Sequence, residues 1–224
     1  MRSLFWAAAK ALVLRTPLRR TLLRSPEVEL NDADRAELEA LVKELDRAAG
    51  AEIRYRSEVP KHVFLDHLVR TRPVLFHGTG DGAIEEFRPQ RQTDYDDRWT
   101  FGVFATDDAI WPLFFAVVNR SVARSLINDC IRQDGRSEYY FSVGADVRSP
   151  ETWRDGWIYV LPRETFTPHP AGSEWMSPTP VRPLARLRVT PADFPFLADV
   201  VSHRLGEQPS RVVVRATLLR ALAR

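Results

Sequence analysis

Apolar residues recur at helical spacing in only part of this chain. Leu38, Leu41, Val42 and Leu45 form one stripe, with Asn31 or Asp32 in front as a cap and Gly50 behind as a stop, which predicts a helix over Ala33–Ala48. Residues 3–24 read as another helix, broken near Pro17, and a third runs roughly from Pro60 to Val69 with proline in its first turn. From Pro73 the pattern shortens. Val74–Phe76 is a brief apolar strand, and residues 80–100 read as a long irregular loop anchored by Phe87. Phe101–Ala105 is a second strand or turn. Ala109–Val122 is a helix behind Thr106, Asp107 and Asp108, the two aspartates being better explained as caps than as catalytic acids.

Glu138–Val143, Gly156–Leu161, Glu174–Met176 and Leu184–Val189 complete a set of short strands. Thr190 starts a further capped helix, and residues 209–224 form a basic terminal one. The sum is an α+β chain, with helices first and then a strand-rich body holding one central helix. Three segments are expected: an N-terminal helical extension over 1–72, a core over 73–202 and a basic C-terminal helix over 203–224.

At 224 residues and 44% hydrophobic, with 6 Trp and 12 Phe, the chain can bury a sizeable core. The net charge of +2 hides a polarity. Residues 1–25 hold six Arg and Lys and no acid, residues 203–224 hold five Arg against Glu207, and the stretch between them carries −8. Such ends suit an anionic partner, whether nucleic acid, lipid or protein, or are simply solvated helices. Cys130 is the only cysteine, which rules out an internal disulfide and fits a reducing cytoplasm. No apolar run is long enough to span a bilayer, although a basic amphipathic helix at residues 1–25 could lie on a membrane surface. His62 and His67 are wrongly spaced for a helical metal pair, and His169 and His203 have no partners in sequence, so no metal is expected.

Three segments carry residues that a plain core does not ask for: PVLFHGT (73–79), GVFATDD (102–108) and SEWMS (173–177). Together they resemble the motifs of the ADP-ribosyltransferase-like superfamily, in its His–aromatic–Glu branch of diphtheria-type toxins and poly-ADP-ribose polymerases. The likeness covers residues 73–189. It implies a compact core of short, mostly antiparallel strands in two packed sheets, with NAD as substrate and no metal.

By that resemblance His77 holds a ribose hydroxyl, the Gly78 backbone grips the nicotinamide amide beside Thr79, Phe104 and Phe115 sandwich the ring, and Glu174 is the catalytic carboxylate. The loop from Arg88 to Thr100 would close over the dinucleotide, with Arg91 or Arg98 facing the pyrophosphate. Two departures matter. Phe104 lacks the usual tyrosine hydroxyl, and Pro112 stands where polymerase members have a serine that bonds the amide. The implied activity is mono-ADP-ribosyl transfer to a protein, nucleic acid or small-molecule acceptor. A catalytically silent binder of NAD, ADP-ribose or nucleic acid is the alternative. Taken singly, Phe115 is as well explained by packing as by ligand contact, and the other side chains are better explained by packing or by a solvated surface than by catalysis.

Overall fold

The computed structural model describes residues 22–93, 99–133, 135–169, 173–208 and 211–215. The helix expected over residues 3–24 falls mostly outside these, but Leu23–Arg24 is a strand, not a helix. Three α-helices are described from end to end: α1 (Asp32–Ala48), α2 (Lys61–Thr71) and α3 (Trp111–Val117). Eleven strands accompany them: β1 (Leu23–Arg24), β2 (Val74–Thr79), β3 (Gln90–Thr93), β4 (Trp99–Thr106), β5 (Leu126–Gln133), β6 (Arg136–Val143), β7 (Gly156–Pro162), β8 (Thr167–Pro168), β9 (Glu174–Ser177), β10 (Ala185–Val189) and β11 (Val201–Ser202). The protein is α+β with two mostly antiparallel sheets.

Contacts divide the chain into two units in a different way from the linear order expected. One comprises the described residues within 26–118 and 153–195, the other those within 1–25, 119–152 and 196–224. The helices of residues 26–72 therefore belong with β2 and β4, and the chain between 119 and 152 belongs with its ends.

In the larger unit the start of α1 is written locally. Asn31 Oδ1 accepts from the Asp34 N–H at 2.9 Å, and Asp34 Oδ2 accepts from the Asn31 N–H at 3.0 Å, a reciprocal capping box. Ala49 in the left-handed region (φ 47°), followed by Gly50 (φ 89°), ends the helix. The stripe Leu38, Leu41, Val42 and Leu45 is buried as its spacing requires.

The seven-stranded sheet of this unit has the order β10-β7-β2-β4-β9-β8, with β3 paired to β4. β3 is a correction to the loop expected over 80–100: Gln90 to Thr93 pair with Gly102 to Trp99 as an antiparallel ribbon. The central helix is also shorter than expected. It stops at Val117, because Val118 turns extended and bridges to Trp153. Behind Thr190 no α-helix forms: a 3-10 turn at Pro191–Asp193, held by the Thr190–Asp193 capping pair, is followed by another at Leu197–Asp199.

α3 lies on β2 and β7 at backbone contact. A Cβ at Gly78 or at Gly156 would overlap the helix backbone at Pro112 or Ala116, so both strands need glycine where the helix crosses. Leu75, Tyr159, Leu161, Val103, Ala105, Phe87, Phe166 and Val181 form a core on the sheet's opposite face.

In the smaller unit β5 runs along the whole of β6, and β1 (antiparallel) and β11 (parallel) take the other edge of β6 at its two ends. Leu22, Tyr140, Val212 and Val213 pack there. Residues 211–215 are helical; the rest of the expected terminal helix lies outside the described residues. His203 has the partners that its sequence context hides. Ser142 Oγ donates to the Val201 carbonyl at 2.9 Å, so it accepts from His203 Nδ1 at 2.7 Å, and Nε2 is left to accept from Ser125 Oγ at 3.0 Å.

Candidate functional site

Two registers bring the three motif segments onto adjacent strands. Phe76 pairs with Thr106 between β2 and β4, and Thr106 pairs with Glu174 between β4 and β9. At the usual strand spacing this puts the Phe76 and Glu174 Cα atoms about 10 Å apart. Among the described residues Phe76–Thr106 is the only pair that β2 makes with β4, whereas β2 makes six with β7. The sheet is split beyond that row.

His77 stands at the split. By continuation of the register the Phe104 carbonyl would meet Gly78, but it is the His77 ring that reaches it, with Nδ1 at 2.7 Å from the oxygen. A carbonyl only accepts, so Nδ1 carries the proton and Nε2 is the ring's acceptor. Phe87 lies against the ring at a centroid distance of 4.7 Å, and Tyr159 sits edge-on to Phe87 at 5.1 Å. Burial holds the imidazole pKa below its ordinary value, against the opposing pull of the Phe104 carbonyl. The ring is neutral at pH 7, able to accept one hydroxyl proton and to orient its owner.

Strand alternation separates the other members from His77. Phe104, Thr106, Glu174 and Met176 project from the face shared with Phe76; His77 projects with Leu75, Ala105 and Trp175 from the other. His77 and Glu174 are therefore neighbours across the split that rise from opposite faces. Both Phe104 and Glu174 are half-buried. Thr106, read from the sequence only as part of a helix cap, has a second role that no local pattern signals. It donates its Oγ1 proton to the Ser173 carbonyl at 2.7 Å and stitches β4 to the residue before Glu174.

Asp108 acts as its position suggests: one carboxylate oxygen accepts from the Ile110 and Trp111 N–H groups at 2.9 and 2.8 Å, at the entrance to α3. Thr79 Oγ1 accepts from the Asp81 N–H at 3.2 Å, a local turn bond. Phe115 is half-buried on α3 between Trp111 and Phe114, with centroids at 5.8 and 5.5 Å. Arg91 is exposed on the β3–β4 ribbon, its guanidinium 4.8 Å from the Trp99 ring centroid. Arg98 lies outside the described residues.

Among the described residues no group of three His, Cys, Asp or Glu side chains is placed to hold a metal ion, and no helix is long and apolar enough to cross a membrane. No family model, curated protein or solved structure matches the chain.

Proposed function

We propose that the protein is an NAD-dependent mono-ADP-ribosyltransferase, a glycosyltransferase that cleaves the nicotinamide–ribose bond. The observation that supports this best is the split between β2 and β4, wedged by a neutral His77 and flanked on the next strand by Glu174. Breaking the nicotinamide–ribose bond develops positive charge on the ribose. Such a reaction needs a carboxylate that bonds the neighbouring 2′-hydroxyl more strongly as charge grows, and a neutral acceptor that fixes a sugar hydroxyl. We assign Glu174 the first role and His77 the second; because they rise from opposite faces, a ribose that meets both has to lie in the split itself. The acceptor is a protein, a nucleic acid or a small molecule, and labelled NAD incubated with each class distinguishes them.

Mass spectrometry of NAD incubated with the wild type and with Glu174→Gln tests the reading. Nicotinamide release by the wild type, abolished in the variant, is expected; equal background release from both removes it. A silent binding module is favoured by one particular contact: the Pro112 carbonyl is pressed against the Cα of Gly78, where the resemblance calls for space beside the glycine. Calorimetric NAD binding without turnover would select that reading.

A further inference from the structure

Among the described residues three arginines bury their Nε with no hydrogen-bond partner: Arg154, Arg163 and Arg186. Two of them are occupied otherwise. Arg163 lies 4.8 Å from the Trp175 ring centroid; Arg186 lies 5.2 Å from that of Trp157 and donates to the Gly82 carbonyl. Among those same residues Arg154 has neither ring nor carboxylate. It is half-buried, and its guanidinium lies against Gly80, where any Cβ would overlap the Nη2, Cζ and Nε atoms. Its backbone is tied to the end of α3, the N–H donating to the Val117 carbonyl at 2.9 Å. The adjacent carboxylate, Asp155, is paired with Arg188 at 3.1 Å.

A half-desolvated guanidinium with no anion is costly unless a ligand supplies one. Gly80 follows directly on β2, three residues after His77, so the cation sits at the end of the strand that carries the candidate site. It also takes the place expected for Arg91, which the β3–β4 ribbon keeps stacked on Trp99. We propose that Arg154 is an anion-binding residue that takes phosphate oxygens of a diphosphate-bearing nucleotide, with Gly80 as the small residue that lets the guanidinium lie flat beside β2. The nucleotide part of this rests on the function proposed above; the anion site does not.

Calorimetric titration of inorganic pyrophosphate, ADP and adenosine into the wild type, Arg154→Met, Arg154→Lys and Gly80→Ala tests it. Methionine keeps the packing bulk without the charge, and Gly80→Ala displaces the guanidinium while keeping its charge. The wild type is expected to bind pyrophosphate and ADP with salt-sensitive affinity. Arg154→Met should weaken both by about 10- to 100-fold, the range for one hydrogen-bonded charged partner. Arg154→Lys should lose less, Gly80→Ala should resemble Arg154→Met, and adenosine should bind all four proteins alike. Equal pyrophosphate affinity in the wild type and Arg154→Met, or no binding to the wild type, overturns the proposal. NAD turnover separates the two readings. Turnover with an unchanged KM in Arg154→Met removes the arginine and leaves the enzyme. Pyrophosphate held through Arg154 by a protein that neither binds nor cleaves NAD removes the enzyme and leaves the anion site.

Discussion

The Nδ1 of His77 lies 2.7 Å from the carbonyl oxygen of Phe104, at the point where the ladder between β2 and β4 stops. A side chain there makes the bond that a backbone N–H would make in a continuous sheet. His77→Phe keeps a ring against Phe87 but leaves that carbonyl without its donor. The expected cost is about 1–2 kcal/mol in urea denaturation, with faster amide exchange at Phe104 and Ala105 and no nicotinamide release.

Glu174 is held at its station by the Thr106 pairing and by its own backbone oxygen, which accepts from the His169 N–H at 2.8 Å. Glu174→Gln preserves both contacts. It is expected to lower NAD turnover by roughly 100- to 1000-fold, the loss typical of one transition-state partner, with little change in the denaturation midpoint. A midpoint shift as large as the rate loss would assign the residue to the fold instead.

Acid sensitivity follows from three histidines. Burial holds His62, His77 and His203 below the ordinary imidazole value; Asp66 opposes this at His62, the Phe104 carbonyl at His77 and Glu207 at His203. The unfolded chain takes up protons first as pH falls, so stability is fully present above about pH 6.5 and is lost below it. Urea midpoints should therefore decline from pH 7 to pH 5. His62 Nε2 is buried without a partner, and His62→Leu should flatten that decline.

Glu138 is only 2% exposed, and its Oε1 accepts from Arg24 Nε and Nη2 at 3.1 and 2.9 Å. Removing the arginine takes two hydrogen-bond donors from a buried carboxylate. Arg24→Ala is expected to cost about 1–3 kcal/mol. Adding Glu138→Gln should cost less than the sum of the single changes, the coupling that a double-mutant cycle in urea reads out.

Asp108→Ala removes the acceptor of two N–H groups at the start of α3. Loss of such a cap costs about 1 kcal/mol, seen as a lower thermal midpoint. Because α3 lies directly on β2, amide exchange should quicken at Gly78 as well as within the helix.

Elements whose signals lie within a few residues are legible in the chain itself. The limits of α1 follow from Asn31, Asp34 and a 3.6-residue stripe, and β7 and β10 come within a residue or so of where their apolar runs place them. β5 carries no such signal. Leu126–Gln133 mixes Asn128, Asp129 and Arg132 among its apolar residues, and it becomes a strand by pairing residue for residue with β6. Leu23–Arg24 departs from the expected helix for the same reason, since its strand state comes from Tyr139 and Glu138, more than a hundred residues away.

The residues to which the proposed function assigns chemistry are visible along the chain: an imidazole beside glycine, an aromatic strand and a glutamate among apolar neighbours. Their arrangement is a property of the folded protein alone. Folding makes their strands adjacent, parts the sheet at His77, raises His77 and Glu174 from opposite faces, and sets Arg154 against Gly80 at the end of β2. Helix stripes and caps act over one or two turns and are written in consecutive residues. Strand neighbours and register are set by contacts between distant segments, and no local pattern records which edge a strand will find.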